Sequence, residues 1–317
     1  MNKAQQAPLD PALERSSEVD LREVLKEIWA RKVQVLGFLA AVASISYLVA
    51  LSIPNKYTSE ALLAPRADGG AGGTLGKLAS QYGGIAGLAG INLGVGGEQS
   101  KTAVAIQTLL SRHFFELYLY DEVLIPLMAI DYWDDLSKEL IIDPKIYDLD
   151  QKKWIREHAR HRQQKPSVQE AHEVFLREVL QVKEGKQDGF VTISVTHYSP
   201  ELASRWATII VSGINEATRS RDVSEAEKSI DYLREQRQKT NLVYLSEVFA
   251  ELIEEQTKTV MLASASEEYV FQVIEPPIAP ELKSEPNRML IVGVGVLMGF
   301  AFWFFYALVT YINRKSP

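Results

Sequence analysis

The sequence has no cysteine and only five histidines among 317 residues. The first absence excludes disulfides, thiolate nucleophiles and cysteine-ligated metals. The second leaves five scattered imidazoles and no constellation for acyl transfer or metal-assisted hydrolysis. A basic excess is missing too. Thirty-four Lys and Arg stand against 41 Asp and Glu, a net charge of −7, so there is no surplus to neutralise phosphates and no nucleic acid partner is expected. A phosphate loop is also absent. GGAGGTLGKL, residues 69–78, would need glycine at 71 and a hydroxyl at 78, and it has Ala71 and Leu78. No enzyme, cofactor or metal is therefore expected.

What the sequence does have is two long uncharged runs, Val33 to Ile53 and Met289 to Ile312. Each reaches the roughly 20 residues that cross about 30 Å of hydrocarbon, so two transmembrane helices are predicted. Ala50-Leu51-Ser52 has the small-x-small look of a signal cleavage site, but the run is longer than an h-region and follows a long polar segment. Arg31 and Lys32 precede the first span, and Arg314 and Lys315 follow the second. Basic flanks stay inside, so both termini are expected in the cytoplasm and residues 54–288 outside it. The expected cytoplasmic parts, a tail at 1–32 and a stub at 313–317, are too short for a kinase or a signalling module. The exported part can bury a core without disulfides.

In the tail, Asp20 to Arg31 spaces its apolar residues as one helical stripe. After the first span, Lys56 to Pro65 alternates as a strand, and residues 69–97 then hold 12 of the 19 glycines. Leucines and isoleucines interleave with these glycines, which suggests a loop packed on a neighbouring surface; a free linker is the alternative. Ser100 to Tyr120 reads as one helix with an apolar face. Trp133-Asp134-Asp135 reads as a surface turn, because adjacent carboxylates point apart.

Residues 156–165, REHARHRQQK, are the most basic stretch. His158 and His161 are spaced i, i+3 but lack a third ligand. The stretch reads as a solvated face in which Arg156, Arg160, Arg162 and Lys165 are candidates for contact with acidic sugars or lipid headgroups. A helix from Pro166 to Leu180 precedes two strands, 180–183 and 190–196, joined by a glycine turn. Ser199 with Pro200 forms an N-cap and N1 start, and Ser224 to Glu227 has capping-box spacing. Residues 199–267 form a long helical region with a thin apolar stripe, expected to stand out and pair with copies of itself. A hairpin folded back at 221–224 is the alternative.

Residues 268–288 hold a returning strand and a connector with Pro276, Pro277, Pro280 and Pro286. Prolines fix φ and withdraw amide donors, so this segment can neither coil into the second span nor join the sheet as a central strand. Within the spans, Gly37, Ala40, Ala41 and Ser44 on one, and Gly293, Gly295 and Gly299 on the other, are small residues suited to close helix packing.

The architecture, and the motifs YTSEALLAP, GLAGINLG, LIEEQTKTVMLASASEEYVFQVIEPPIAPE and the proline-rich approach to the second span, resemble the polysaccharide co-polymerases. The resemblance is to the O-antigen chain-length determinant (Wzz) proteins and covers almost the whole chain. It implies an α+β membrane protein: two transmembrane helices, 33–53 and 289–312, flanking a periplasmic α/β base domain, 54–198, with a long protruding helix. It also implies a bacterial inner-membrane location and a ring-like homo-oligomer. The expected activity is a non-catalytic one, setting O-antigen length with a separate O-antigen polymerase on a lipid-linked polysaccharide, in contact with membrane lipid. A co-polymerase for capsule, exopolysaccharide or another surface glycan, or a periplasmic adaptor of an export system, is the alternative.

Overall fold

The computed structural model describes residues 32–66, 101–134, 136–157 and 162–315. The amphipathic stripe at 20–31, the glycine-rich stretch 69–97 and residues 158–161, which include Arg160 and both histidines, lie outside them. In chain order come α1 (Lys32–Ser52), β1 (Tyr57–Pro65), α2 (Lys101–Leu109), α3 (Arg112–Tyr118) and α4 (Tyr120–Met128). Four short strands follow: β2 (Ile130–Asp134), β3 (Glu139–Ile142), β4 (Tyr147–Asp148) and β5 (Lys153–Trp154). Next are α5 (Val168–Glu178), β6 (Leu180–Glu184), β7 (Val191–His197), α6 (Pro200–Lys239), α7 (Val243–Ser264), β8 (Phe271–Glu275) and α8 (Arg288–Lys315). Two compact units result: one runs from Asn55 to Glu285, and the other holds α1 and α8.

The body is built on an antiparallel sheet of order β6-β7-β1-β8. Period-two alternation gives β1 and β7 two different faces. Ala61, Leu63, Val191, Ile193 and Val195 are buried. On the other face Thr58 Oγ1 lies 2.9 Å from Thr196 Oγ1, and Ser194 donates to Glu60. The first half of α6 covers the apolar face with Ala203, Trp206, Ala207, Ile210 and Ile214. Ser199 caps α6 by accepting from the Leu202 amide, and Pro200 opens its first turn, as the sequence predicts.

The predicted helix at 100–120 is broken at Ser111, whose hydroxyl accepts from the Phe114 amide and starts α3. That turn brings Phe114 and Phe115 into the core with Phe175 and Trp206. It also lays the Phe114 and Tyr118 rings on Gly213, where a Cβ would sit only 3.1 Å from Tyr118. The β2–β3 hairpin was not expected. Asp134 anchors its turn, accepting from the Leu136 amide and the Ser137 hydroxyl, and those bonds hold its carboxyl below the usual range.

The largest departure is in the helical region. The chain does not break at 221–224, and Ser224 starts nothing. No glycine or proline interrupts 214–239, and the pairs Arg221–Glu225 and Arg234–Asp231 brace the surface. α6 therefore runs 40 residues, about 60 Å at 1.5 Å per residue. The reversal comes at Thr240–Leu242, where the Thr240 hydroxyl accepts from the Leu242 amide and competes with helical bonding. α7 then returns along α6, and Leu233, Phe249 and Leu252 close a second, small core. The apolar stripe expected to meet other copies is met here by the chain's own α7.

Candidate functional site

The connector between β8 and α8 is held by side chains rather than by a continuous ladder. β8 pairs with β1 from Pro65↔Phe271 to Leu62↔Glu275, and a single bridge, Lys56↔Glu285, follows. Five residues of β1, 57–61, thus lie opposite nine of the connector, 276–284. The excess is secured at intervals. Ser204 on α6 donates to the Pro277 carbonyl at 3.2 Å, and buried Ser59 on β1 donates to the Ile278 carbonyl at 2.8 Å. The Thr58 amide donates to the Ser284 hydroxyl at 3.0 Å. Lys56 then accepts from the Ser284 and Glu285 amides and gives its own amide to the Glu285 carbonyl. Pro276, Pro277 and Pro280 lie in this stretch, lacking amide donors where the ladder lapses; Pro286 follows the bridge. The sequence exposes the prolines, but Ser204 and Ser284 belong to no pattern, and Ser59 reads only as one position of the alternating strand 56–65.

Upstream, Asn215 of α6 fixes the start of β8. Its side chain is 4% exposed. Its Oδ1 accepts from the Val270 and Phe271 amides, both at 2.9 Å, and its Nδ2 donates to the Phe271 and Val211 carbonyls. Every donor and acceptor of the amide is used.

In the other unit α1 packs on α8. Gly299 lies against Val42, where a Cβ would come within 3.2 Å, and Gly295 lies against Ser46, whose Cβ would be 2.9 Å from an added one. Phe38 contacts Phe302 and Trp303. Gly37 and Gly293 meet nothing, and Ala40, Ala41 and Ser44 are exposed. The contact face of α1 is therefore Phe38, Val42 and Ser46, one step around the helix from the small-residue face read in the sequence. Smallness alone did not select the face, because the partner's glycines make room for larger residues. Gly295→Leu should force the helices apart. Spin labels on Leu48→Cys and Val294→Cys should report a longer separation than in the parent, and an unchanged distance would contradict the contact.

The basic stretch is not a uniform solvated face. Arg156 donates to both carboxylate oxygens of Glu170 at 2.7 Å and to the Gln163 and Gln164 carbonyls. Arg162 adds a third donor to Glu170 at 3.2 Å. This pairing holds the Glu170 carboxyl below its ordinary range and raises Arg156. Arg156 thus closes the loop onto the first turn of α5, while Lys165 is exposed with its ammonium 5.4 Å from the centre of the Tyr120 ring. No three His, Asp or Glu side chains among the described residues come together to hold a metal.

His197, 3% exposed, lies at the end of β7. Its Nδ1 accepts from the Ser199 amide at 3.0 Å, which leaves the proton on Nε2, facing the Pro126 carbonyl at 3.4 Å. Its ring packs on Trp206. Burial pushes its pKa down to about 4, Lys56 adds to the fall, and the Pro126 carbonyl opposes it.

These features define a class: an α+β chain in which two membrane-length apolar helices flank a mixed body bearing a long helical projection. The family model described as chain length determinant protein, Wzz, matches residues 17–122, and this is the family the sequence resembles. Among solved structures, the chain is similar to a full-length bacterial polysaccharide co-polymerase, with 13% identity and a TM-score of 0.36 over 94% of this chain and 99% of that one. It is also similar to a fragment of WzzB, a polysaccharide co-polymerase from Salmonella Typhimurium, with 14% identity and a TM-score of 0.31 over 73% of this chain and all of that one. No curated protein matches the sequence.

Proposed function

We propose that this chain is a non-catalytic regulator of lipopolysaccharide O-antigen chain length, an inner-membrane co-polymerase acting with a separate O-antigen polymerase on a lipid-linked polysaccharide. Both termini are cytoplasmic, the body is periplasmic, and the working form is a ring-like homo-oligomer. The observation that carries this reading is the family match over residues 17–122, which takes in the first span, β1 and the glycine-rich stretch. The clamped connector supports it: both ends of the body leave together at the Lys56↔Glu285 bridge, so each subunit is held by two anchors at one place. Exposed Arg162 and Lys165 are the candidate contacts for acidic sugar or headgroup.

Deleting the gene and displaying the surface glycan by size tests this. The modal length should be lost while polymer persists; an unchanged O-antigen ladder contradicts the assignment, and a change confined to another glycan moves it to that polymer. Pro277→Ala with Pro280→Ala restores two amide donors and frees two φ angles in the connector. The protein should still insert, with a shifted length distribution; an unshifted ladder removes the role given to the connector.

A further inference from the structure

We propose that Ile278 and Leu282 insert into the interfacial layer of the leaflet facing the body, making the connector a lipid-bound collar. This rests on the two-span reading. Leu282 is 82% exposed and Ile278 67% exposed, yet the backbone around them is clamped. Their exposure is therefore a fixed presentation of apolar side chains, not the looseness of a free segment.

Chain length limits what Leu282 can reach, and Ile278 follows more loosely, its carbonyl held by Ser59 seven residues beyond α1. Leu282 stands six residues before Arg288, the first residue of α8, a span of at most about 20 Å. The carbonyl that takes the Ser284 and Glu285 amides belongs to Lys56, four residues beyond the last residue of α1, at most about 14 Å away. Two independent tethers to membrane-length helices thus end on the same few residues.

The backbone chemistry suits the hydrated headgroup level and not the hydrocarbon, because the amides of Ile278, Ala279, Glu281, Leu282 and Lys283, without a partner among the described residues, are left to bond with water or headgroups. A non-helical segment in a water-poor region carries unsatisfied amides at a cost. Here Pro276, Pro277, Pro280 and Pro286 have no amide donor, and the Ser284 and Glu285 amides are already bonded to Lys56. Glu281 and Lys283 flank Leu282 and are exposed, so their charged ends can stay among headgroups while the leucine turns inward. The competing occupant of this apolar pair is a second copy of the chain.

The absence of cysteine makes the test direct. Leu282→Cys and Ile278→Cys each take one spin label on the full chain, reconstituted in vesicles of phosphatidylethanolamine and phosphatidylglycerol. Leu297→Cys in α8 and Leu149→Cys in the body, both exposed, serve as references. Collisions with oxygen should exceed those with a water-soluble nickel chelate at 282 and 278, at a level between the two references. Water-like labels at 282 and 278 beside a lipid-like label at 297 overturn the collar alone. A water-like label at 297 overturns the two-span reading with it. Labels at 282 that neither reagent reaches and that broaden one another identify a second copy as the occupant and overturn the proposal.

Discussion

Replacing Asn215 with leucine should lower the melting temperature of the full chain by about 10 °C. The side chain is buried and satisfies three main-chain groups at the start of β8, the Val270 amide and the Phe271 amide and carbonyl. Leucine fills a similar volume and bonds none of them. Each buried orphan costs roughly 1–3 kcal/mol, so a total of about 3–4 kcal/mol is expected after partial relaxation. For a body of this size each kcal/mol moves the midpoint by roughly 2–4 °C. The damage should also be local. Hydrogen exchange should accelerate first at 270–275, because β8 is an edge strand that pairs with β1 alone. A midpoint within about 2 °C of the parent would show that β8 is held by its ladder and not by α6.

Lowering the pH should destabilise the body through His197. Its folded pKa, about 4, lies below the ordinary 6.5. The unfolded chain therefore takes up the proton first, and stability is full above about pH 6.5 and lost as pH falls toward 4. Between pH 7 and pH 4.5 the loss is roughly 2–3 kcal/mol, since one pKa unit corresponds to about 1.4 kcal/mol. The window separates this group from the carboxylates. Glu170, Asp134 and Glu235 have lowered values, so their contributions fade only as pH drops below about 4.5, their ordinary range. His197→Phe keeps a ring against Trp206 and cannot take up the proton, so its melting temperature should stay nearly flat from pH 7 to 4.5. An equally steep fall in that variant would assign the pH dependence elsewhere.

Much of this architecture is legible in the sequence where a local signal has a local cause. The two apolar runs become α1 and α8, Ser199 and Pro200 open α6, and alternation in FVTISVT gives the two faces of β7. The reversal at Thr240–Leu242 was not legible. It carries neither glycine nor proline, whereas the capping-box spacing at Ser224 is a stronger local signal that packing against α7 overrides. Asn215 reads as one polar residue on an amphipathic helix, and only its distance to a strand more than 50 residues away gives it a role. The same holds for Arg156, which looks solvated beside other cations until Glu170 folds back over it. The motifs at 252–281 that carry much of the resemblance lie beyond residues 17–122, and they become the end of α7, β8 and the connector.

As a co-polymerase, this chain is proposed to govern a reaction performed by another protein. The most direct measurement places the O-antigen polymerase with lipid-linked repeat units in vesicles, with and without the full chain, and reads product length. The chain alone should neither extend nor cleave the glycan, and its addition should replace a broad product range with a modal length. Product lengths that do not change on its addition, or turnover of saccharide by the chain alone, would contradict the account.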